Sequence, residues 1–268
     1  MSGFIDTHAH LHDRAFNDDR AAALDRARAA GVEAVVTVGT DIKESEAAVA
    51  LAAAQPDVYA VVGLHPHDAK DWQGAVEERL RTLAETPDVV AVGEIGLDFH
   101  RNLSPPSDQE HAFQAQLELA NTLALPVVIH SREAHEETYS TLRAWAATAA
   151  CDSPLGVVHC FSGDAELALR YIEIGFVISF AGPVTFPKSS ELRGAAVAVP
   201  GGAIVVETDC PYLTPQYRRG QRNEPAHVTE TGRVIAELRG EPVAEFAARS
   251  SANARRLFRL AMAETISR

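Results

Sequence analysis

The chain has 268 residues, 46% of them hydrophobic, enough for one large domain whose core needs no covalent staples. Its formal net charge of −13 opposes any reading in which the whole surface wraps nucleic acid, so an anionic substrate must be met at a local site where bound cations supply positive charge. The three cysteines, Cys151, Cys160 and Cys210, form no C-x-x-C pair, which excludes a disulfide framework and a cysteine zinc site and predicts buried thiols in a reducing cytoplasm.

No apolar run approaches the ~20 residues of a membrane span, and the first residues lack the charged-then-apolar layout of a signal peptide, so the expectation is a cytoplasmic protein with no membrane partner. Eight short runs rich in Val, Ile and Leu read as strands: Phe4–Thr7, Ala34–Val38, Tyr59–Leu64, Val89–Ile95, Pro126–His130, Leu155–His159, Phe176–Phe180 and Ala203–Glu207. They are near-continuous in apolar residues, as parallel strands buried on both faces are. Successive runs start about 20 to 40 residues apart, room for a strand, a crossover helix and two loops.

The segments between carry helix signals. Ser107 with Glu110 reads as a capping box ahead of a stripe of Phe113, Leu117, Ala120 and Ala124. Thr138, Leu142, Trp145 and Ala149 make a second stripe before Pro154. Val234, Ile235 and Leu238 precede Gly240 as a C-cap, and Pro242 opens a final helix through Phe246, Ser250 and Leu257. Alternating strands and helices over residues 1–268, without a linker, predict an α/β fold: a single-domain (β/α)8 TIM barrel, possibly distorted, with an open doubly wound sheet as the alternative.

Barrels of this kind place their chemistry at the C-terminal ends of the strands. His8 and His10 follow the first run, His65 the third, Glu94 ends the fourth, His130 the fifth, His159 the sixth, and Glu207 and Asp209 the eighth. The second and seventh runs end in Gly39 and in Phe180-Ala181-Gly182, so they read as walls. Positions i and i+2 of a strand share a face, so His8 and His10 can aim two imidazoles at one point. Four histidines with Glu94 and Asp209 are too many ligands for one tetrahedral ion and suit two ions a few ångströms apart. Glu94, in an otherwise apolar run, is the candidate bridge, because burial of a lone carboxylate is costly unless a cation neutralises it. Gly93 and Gly96 beside it are expected to let metal and substrate approach the backbone. Asp209 is assigned to metal and to proton handling, and Glu207 to orienting a ligand.

The motifs Asp6-Thr7-His8-Ala9-His10-Leu11, Gly63-Leu64-His65-Pro66-His67, Gly93-Glu94-Ile95-Gly96-Leu97-Asp98, His130-Ser131-Arg132, His159-Cys160-Phe161-Ser162-Gly163 and Glu207-Thr208-Asp209-Cys210-Pro211-Tyr212-Leu213 together resemble the TatD family of metal-dependent hydrolases, within the wider amidohydrolase-like barrels. The resemblance implies that His8, His10, Glu94 and Asp209 hold one metal and Glu94, His130 and His159 a second. His12 stands where relatives often carry another polar residue, which leaves these sites untouched. It further implies phosphodiester hydrolysis, in particular a deoxyribonuclease that removes nucleotides from a strand end, with Mg2+ or Mn2+. On softness alone, mixed histidine and carboxylate donors suit Zn2+ or Mn2+, so the metal stays open.

Around these ligands, His65 and Arg132 are candidates to hold a phosphate. The loop after the eighth run carries Tyr217, Arg218, Arg219 and Arg222, read as a clamp on phosphates and a base. His67, His100, His111, His135 and His227 read as surface polar residues, Phe161 as packing, and Cys160 and Cys210 as facing away from the site. The metal-made hydroxide attacks a carbonyl equally well, so a carboxyl ester or amide hydrolase, for example on aminoacyl esters of tRNA, is the alternative enzyme, and an idle barrel used for docking is the alternative from another class.

Overall fold

The computed structural model describes residues 3–150 and 154–260, so Cys151 lies outside the described residues. Each of the eight apolar runs is a strand: β1 (Phe4–Ala9), β2 (Val32–Val38), β3 (Val58–Val62), β4 (Val89–Asp98), β5 (Val127–Arg132), β6 (Gly156–Val158), β7 (Phe176–Phe180) and β8 (Ile204–Val206). Helices follow them: α1 (Arg20–Ala29), α2 (Ile42–Ala54), α3 (Gly74–Ala84), α4 (Pro106–Leu123), α5 (His135–Ala146), α6 (Ala165–Glu173), α7 (Ser190–Ala198), α8 (Val228–Arg239) and α9 (Val243–Phe258). The strands lie side by side in chain order, all neighbours parallel, and β8 meets β1 through a bridge between Ala9 and Cys210. The result is a nearly closed (β/α)8 barrel. No helix of the described residues is long and apolar enough to cross a membrane.

The apolar runs are continuous because both faces of every strand are covered. One buried cluster fills the barrel, with Ile5, Val36, Val61, Val128, Val157 and Val205. It is closed at the N-terminal end by Ala254, Leu257 and Phe258 of α9. Residues of opposite parity, such as Val127, Ile129, Ile178 and Ile204, pack outward against helix residues that include Phe113, Leu117 and Leu142.

Boundaries depart from the sequence reading where local chemistry competes. The capping box is not formed: α4 starts at Pro106 with Pro105 as its N-cap and no side-chain cap bond, since proline already supplies the helical φ of the first turn. Trp145, Leu142 and Thr138 are buried as one stripe, but α5 ends at Ala146, before Ala149. Gly240 caps α8 with φ 66°, as its position predicts. β4 runs three residues beyond Ile95, whereas β6 and β8 are short and leave His159 and Glu207 just after the strand.

Candidate metal centre

Strand parity carries three of the candidate groups inward. His130 continues the face of Val128, His159 that of Val157 and Glu207 that of Val205, one step above the last apolar layer. β1 and β4 need a correction to the alternation, because Ile5 and Ala91 face the interior and lie at odd spacing from His8, His10 and Glu94. The pairing supplies it: the β1–β2 register shifts between Asp6 and Ala9, and the β4–β5 register between Val92 and Ile95. Such irregularities re-aim side chains.

The six candidate ligands converge. Glu94 Oε2 lies 3.3 Å from His8 Nε2 and 4.0 Å from His10 Nε2, while Oε1 lies 2.8 Å from both His130 Nδ1 and His159 Nε2. Asp209 Oδ1 is 3.4 Å from His10 Nε2 and 3.7 Å from His8 Nε2. The His8 and His159 rings stack at 3.9 Å. Ligand atoms lie within 4.8 Å of one another in three groups: His8, Glu94 and His159; His8, His10 and Asp209; His65, Glu94 and His130.

Several imidazoles are held in the tautomer a cation needs. His10 donates Nδ1–H to the Val38 carbonyl at 2.8 Å, and His159 donates Nδ1–H to Glu207 Oε1 at 3.3 Å, so each can turn an Nε2 lone pair to the centre. His130 can donate Nε2–H to Asp98 Oδ2 at 3.2 Å and face Glu94 with Nδ1. His8 is fully buried, and neither ring nitrogen has a hydrogen-bond partner among the described residues, an arrangement that is costly unless a ligand completes it. Burial alone would raise the pKa of Glu94, yet His159 and His65 hold it well below the usual carboxylate range. Burial likewise opposes the charging of His10, but Asp209 wins and pushes it up to about 9. The centre therefore demands positive charge, and divalent cations satisfy that demand with the histidines neutral. His8, His10, Glu94, His130, His159 and Asp209 fit such ions as a donor set.

Glu207 is fully buried, and its Oε1 also accepts the Cys160 N–H at 2.7 Å. His65 accepts the His67 N–H at Nδ1, 3.1 Å, so its Nε2, 3.4 Å from Glu94 Oε1, carries the proton. Burial lowers the His65 pKa to about 4, which keeps this donor neutral. Around the centre lies a cavity of about 630 Å³, and Arg132 lines it together with Arg101.

The loop after β8 is a correction. None of Tyr217, Arg218, Arg219 and Arg222 lines the cavity. Arg222 is drawn back by Asp19 at 2.6 Å, the Ala15 carbonyl at 2.7 Å and the Phe16 ring at 4.4 Å. Arg218 pairs with Glu230 at 2.9 Å, Arg219 lies 5.7 Å from the Phe186 ring, and Tyr217 meets Arg233. Carboxylates absorb the charge of Arg218 and Arg222. Gly93 and Gly96 serve strand approach instead of substrate approach: a Cβ would fall 2.7 Å from the Val128 carbonyl oxygen and 2.0 Å from that of His130.

Residues 5–259 match the family model described as TatD related DNase. The chain belongs to this family. It is 40% identical over 263 residues, 96% of this chain and 100% of the relative, to the 3'-5' ssDNA/RNA exonuclease TatD of Pectobacterium parmentieri. It is 38% identical over 96% of its length to an uncharacterized metal-dependent hydrolase, YabD, of Bacillus subtilis, 99% of which is covered. The crystal structure of the TatD homolog YJJV from Escherichia coli superposes with a TM-score of 0.89 at 33% identity, over 96% of this chain and 98% of that one.

This TatD-family cavity also holds groups that the sequence reading passed over. Asp98, buried, accepts from His67 Nε2 at 2.9 Å and from the Arg101 N–H at 2.7 Å as well as facing His130. β4 runs through Asp98, four residues after Glu94, an even spacing that is the sequence signal for this group. His67 therefore lines the cavity and is not simply a surface residue, and so does Cys160, which φ 42° turns out of the strand pattern. His227 is buried against Asn223 Oδ1 at 3.0 Å, whereas His100 and His111 are exposed and His135 is half-buried. Tyr212, three residues after Asp209, is 56% exposed at the cavity wall. Phe161 packs against Phe180, and Cys210 is buried.

Proposed function

We propose that the chain is a metal-dependent phosphodiesterase that removes nucleotides from the 3′ end of single-stranded DNA. The observation that carries this reading is Glu94, whose two oxygens face separate histidine groups 3.3 Å and 2.8 Å away within a cavity of about 630 Å³. Support comes from the 40% identity to a 3'-5' ssDNA/RNA exonuclease. Two divalent ions, held by His8, His10 and Asp209 on one side and by His130 and His159 on the other with Glu94 shared, would neutralise phosphate charge and provide hydroxide at neutral pH.

The chain's own groups do the rest. Asp209 lines the cavity beside His10 and accepts a proton from attacking solvent. His65 donates Nε2–H to a non-bridging phosphate oxygen. Arg132 and Arg101 have no carboxylate partner among the described residues, and they hold the phosphates that lead away from the scissile bond. Tyr212 offers its ring to an unpaired base. On the β1–β2 side the wall carries Asp13 and Glu44, which disfavour a continuing anionic chain there and so favour a strand end.

The test uses purified protein, a 5′-labelled single-stranded oligonucleotide and Mn2+, Mg2+ or Zn2+ in parallel. Stepwise shortening from the 3′ end is expected. Turnover of carboxyl esters without shortening of the oligonucleotide would contradict the reading.

A further inference from the structure

The two histidine groups around Glu94 are joined to the barrel differently. Glu94, His130 and His159 stand on or directly after β4, β5 and β6, whose pairing includes Gly96 with His130 and Ile129 with Val158. His8 and His10 come from β1 and its end, and Asp209 from the turn after β8. Among the described residues these two strands are linked by one bridge, in which the Asp209 N–H donates to the His8 carbonyl at 2.9 Å and the His10 N–H to that of Cys210 at 2.7 Å. One candidate ion site therefore sits on laddered strands and the other across the barrel's seam.

Side chains do at the seam what the ladder does elsewhere. Asp6, fully buried on β1, accepts the Thr208 N–H on Oδ1 at 2.8 Å and the Thr208 hydroxyl on Oδ2 at 2.6 Å. The Thr208 hydroxyl in turn accepts the Cys210 N–H at 3.2 Å, and Asp6 Oδ1 receives the His8 N–H at 3.4 Å. From the other side, buried Asn223 donates to the carbonyls of Thr208 at 2.8 Å and Tyr212 at 2.6 Å. Asp209, between these anchors, has φ 56°, a left-handed conformation unfavourable for a residue with a β-carbon. Apart from the turn's own bond from the Tyr212 N–H to the Asp209 carbonyl at 2.9 Å, the backbone and side-chain hydrogen bonds that tie it to the barrel run through Asp6, Thr208 or Asn223 or through the bridge.

We infer that Asp6 and Thr208 are positioning residues for the ion site made by His8, His10 and Asp209, with no comparable hold on the site made by Glu94, His130 and His159. The inference rests on the reading that two ions bind, and not on which bond the enzyme cleaves. Removing a group that orients a metal ligand weakens metal affinity about 10- to 100-fold. Here that loss falls on one ion of the pair.

The experiment strips the full-length protein of metal and titrates it with Mn2+, following calorimetry, electron paramagnetic resonance and thermal unfolding of the same samples. Wild type is expected to take up two Mn2+ per chain and to show the spectrum of a coupled pair. Thr208→Val, which keeps shape and removes the hydroxyl, is expected to weaken one step about 10- to 100-fold and leave the other within about threefold, so that an isolated Mn2+ signal persists at intermediate loading. Thr208→Ser restores the coupled spectrum. Asp6→Asn should act in the same direction as Thr208→Val, and if it does not fold the threonine pair still decides. A wild-type protein that holds one ion, two steps weakened in equal proportion alongside a lower melting temperature, or no change with Thr208→Val would each overturn the inference. Because the readout is ion occupancy, its failure is separate from a failure to cut DNA.

Discussion

The ends of β4 to β6 and the loop after β8 both carry groups that a sequence reader assigns to a polyanion site, and the structure treats them in opposite ways. His130 and His159 have nowhere else to point, because strand pairing and the Val128 and Val157 layer beneath them fix direction, and Glu94 is turned in by the register shift between Val92 and Ile95. Arg218 and Arg222 sit on a loop and find Glu230 and Asp19 at 2.9 Å and 2.6 Å. A long flexible cation in an acidic protein meets a local carboxylate before it meets a substrate. The arginines that line the cavity are instead Arg132, at the end of a strand, and Arg101, just beyond one.

The largest expected effect separates the two regions outright. Glu94→Gln should lower kcat/KM for oligonucleotide cleavage by about a thousandfold or more, the scale of a group that stabilises developing charge. Ion affinity should come next. In the metal-free protein, Asp209 holds the His10 pKa near 9 against burial, so the His10–Asp209 pair stabilises the fold below its ordinary value of 6.5 and loses that contribution as pH rises through about 9. An ion must displace the proton, so its apparent affinity runs the other way. Mn2+ titrations between neutral pH and 9 should show affinity rising by about tenfold per pH unit, and a flat profile would remove the proton from His10.

Smaller effects sharpen the contrast. Glu207→Gln alters the group behind His159 and should cost about 10- to 100-fold in activity or ion affinity, measured by the same assays. Arg132→Ala should raise KM for a long oligonucleotide about tenfold, as loss of a hydrogen bond to a charged group predicts, and should change KM less for a small chromogenic phosphodiester. Arg218→Ala and Arg219→Ala should move either KM by less than about twofold, since neither side chain lines the cavity and the Arg218–Glu230 surface pair contributes little. If the loop variants match Arg132→Ala on long strands, the loop swings to the cavity in solution and the comparison fails.

Much of this architecture was legible because hydrophobic continuity reports on two buried faces, and eight such runs separated by helix-length segments leave few topologies. The candidate ligands were legible because they end those runs. The reason His8, His10 and Glu94 reach the centre was not, since the register shifts in β1 and β4 leave no mark in the pattern of apolar residues. The apolar run gives Asp98 no role because it stops at Ile95, while the strand continues beside His130 and Ser131. The capping box failed for a different reason: Ser107 and Glu110 have the right spacing, but Pro106 had already begun the helix. Loop side chains were the least legible, because their partners, such as Asp19 for Arg222, lie far away in sequence.

The account turns on a pair of cations meeting across the Glu94 carboxylate. Anomalous diffraction from crystals grown with Mn2+, recorded at the manganese edge, tests this most directly. Two peaks about 3.5 to 4 Å apart, one beside His8, His10 and Asp209 and one beside His130 and His159, with Glu94 touching both, are predicted. A single peak, or peaks away from Glu94, would contradict it.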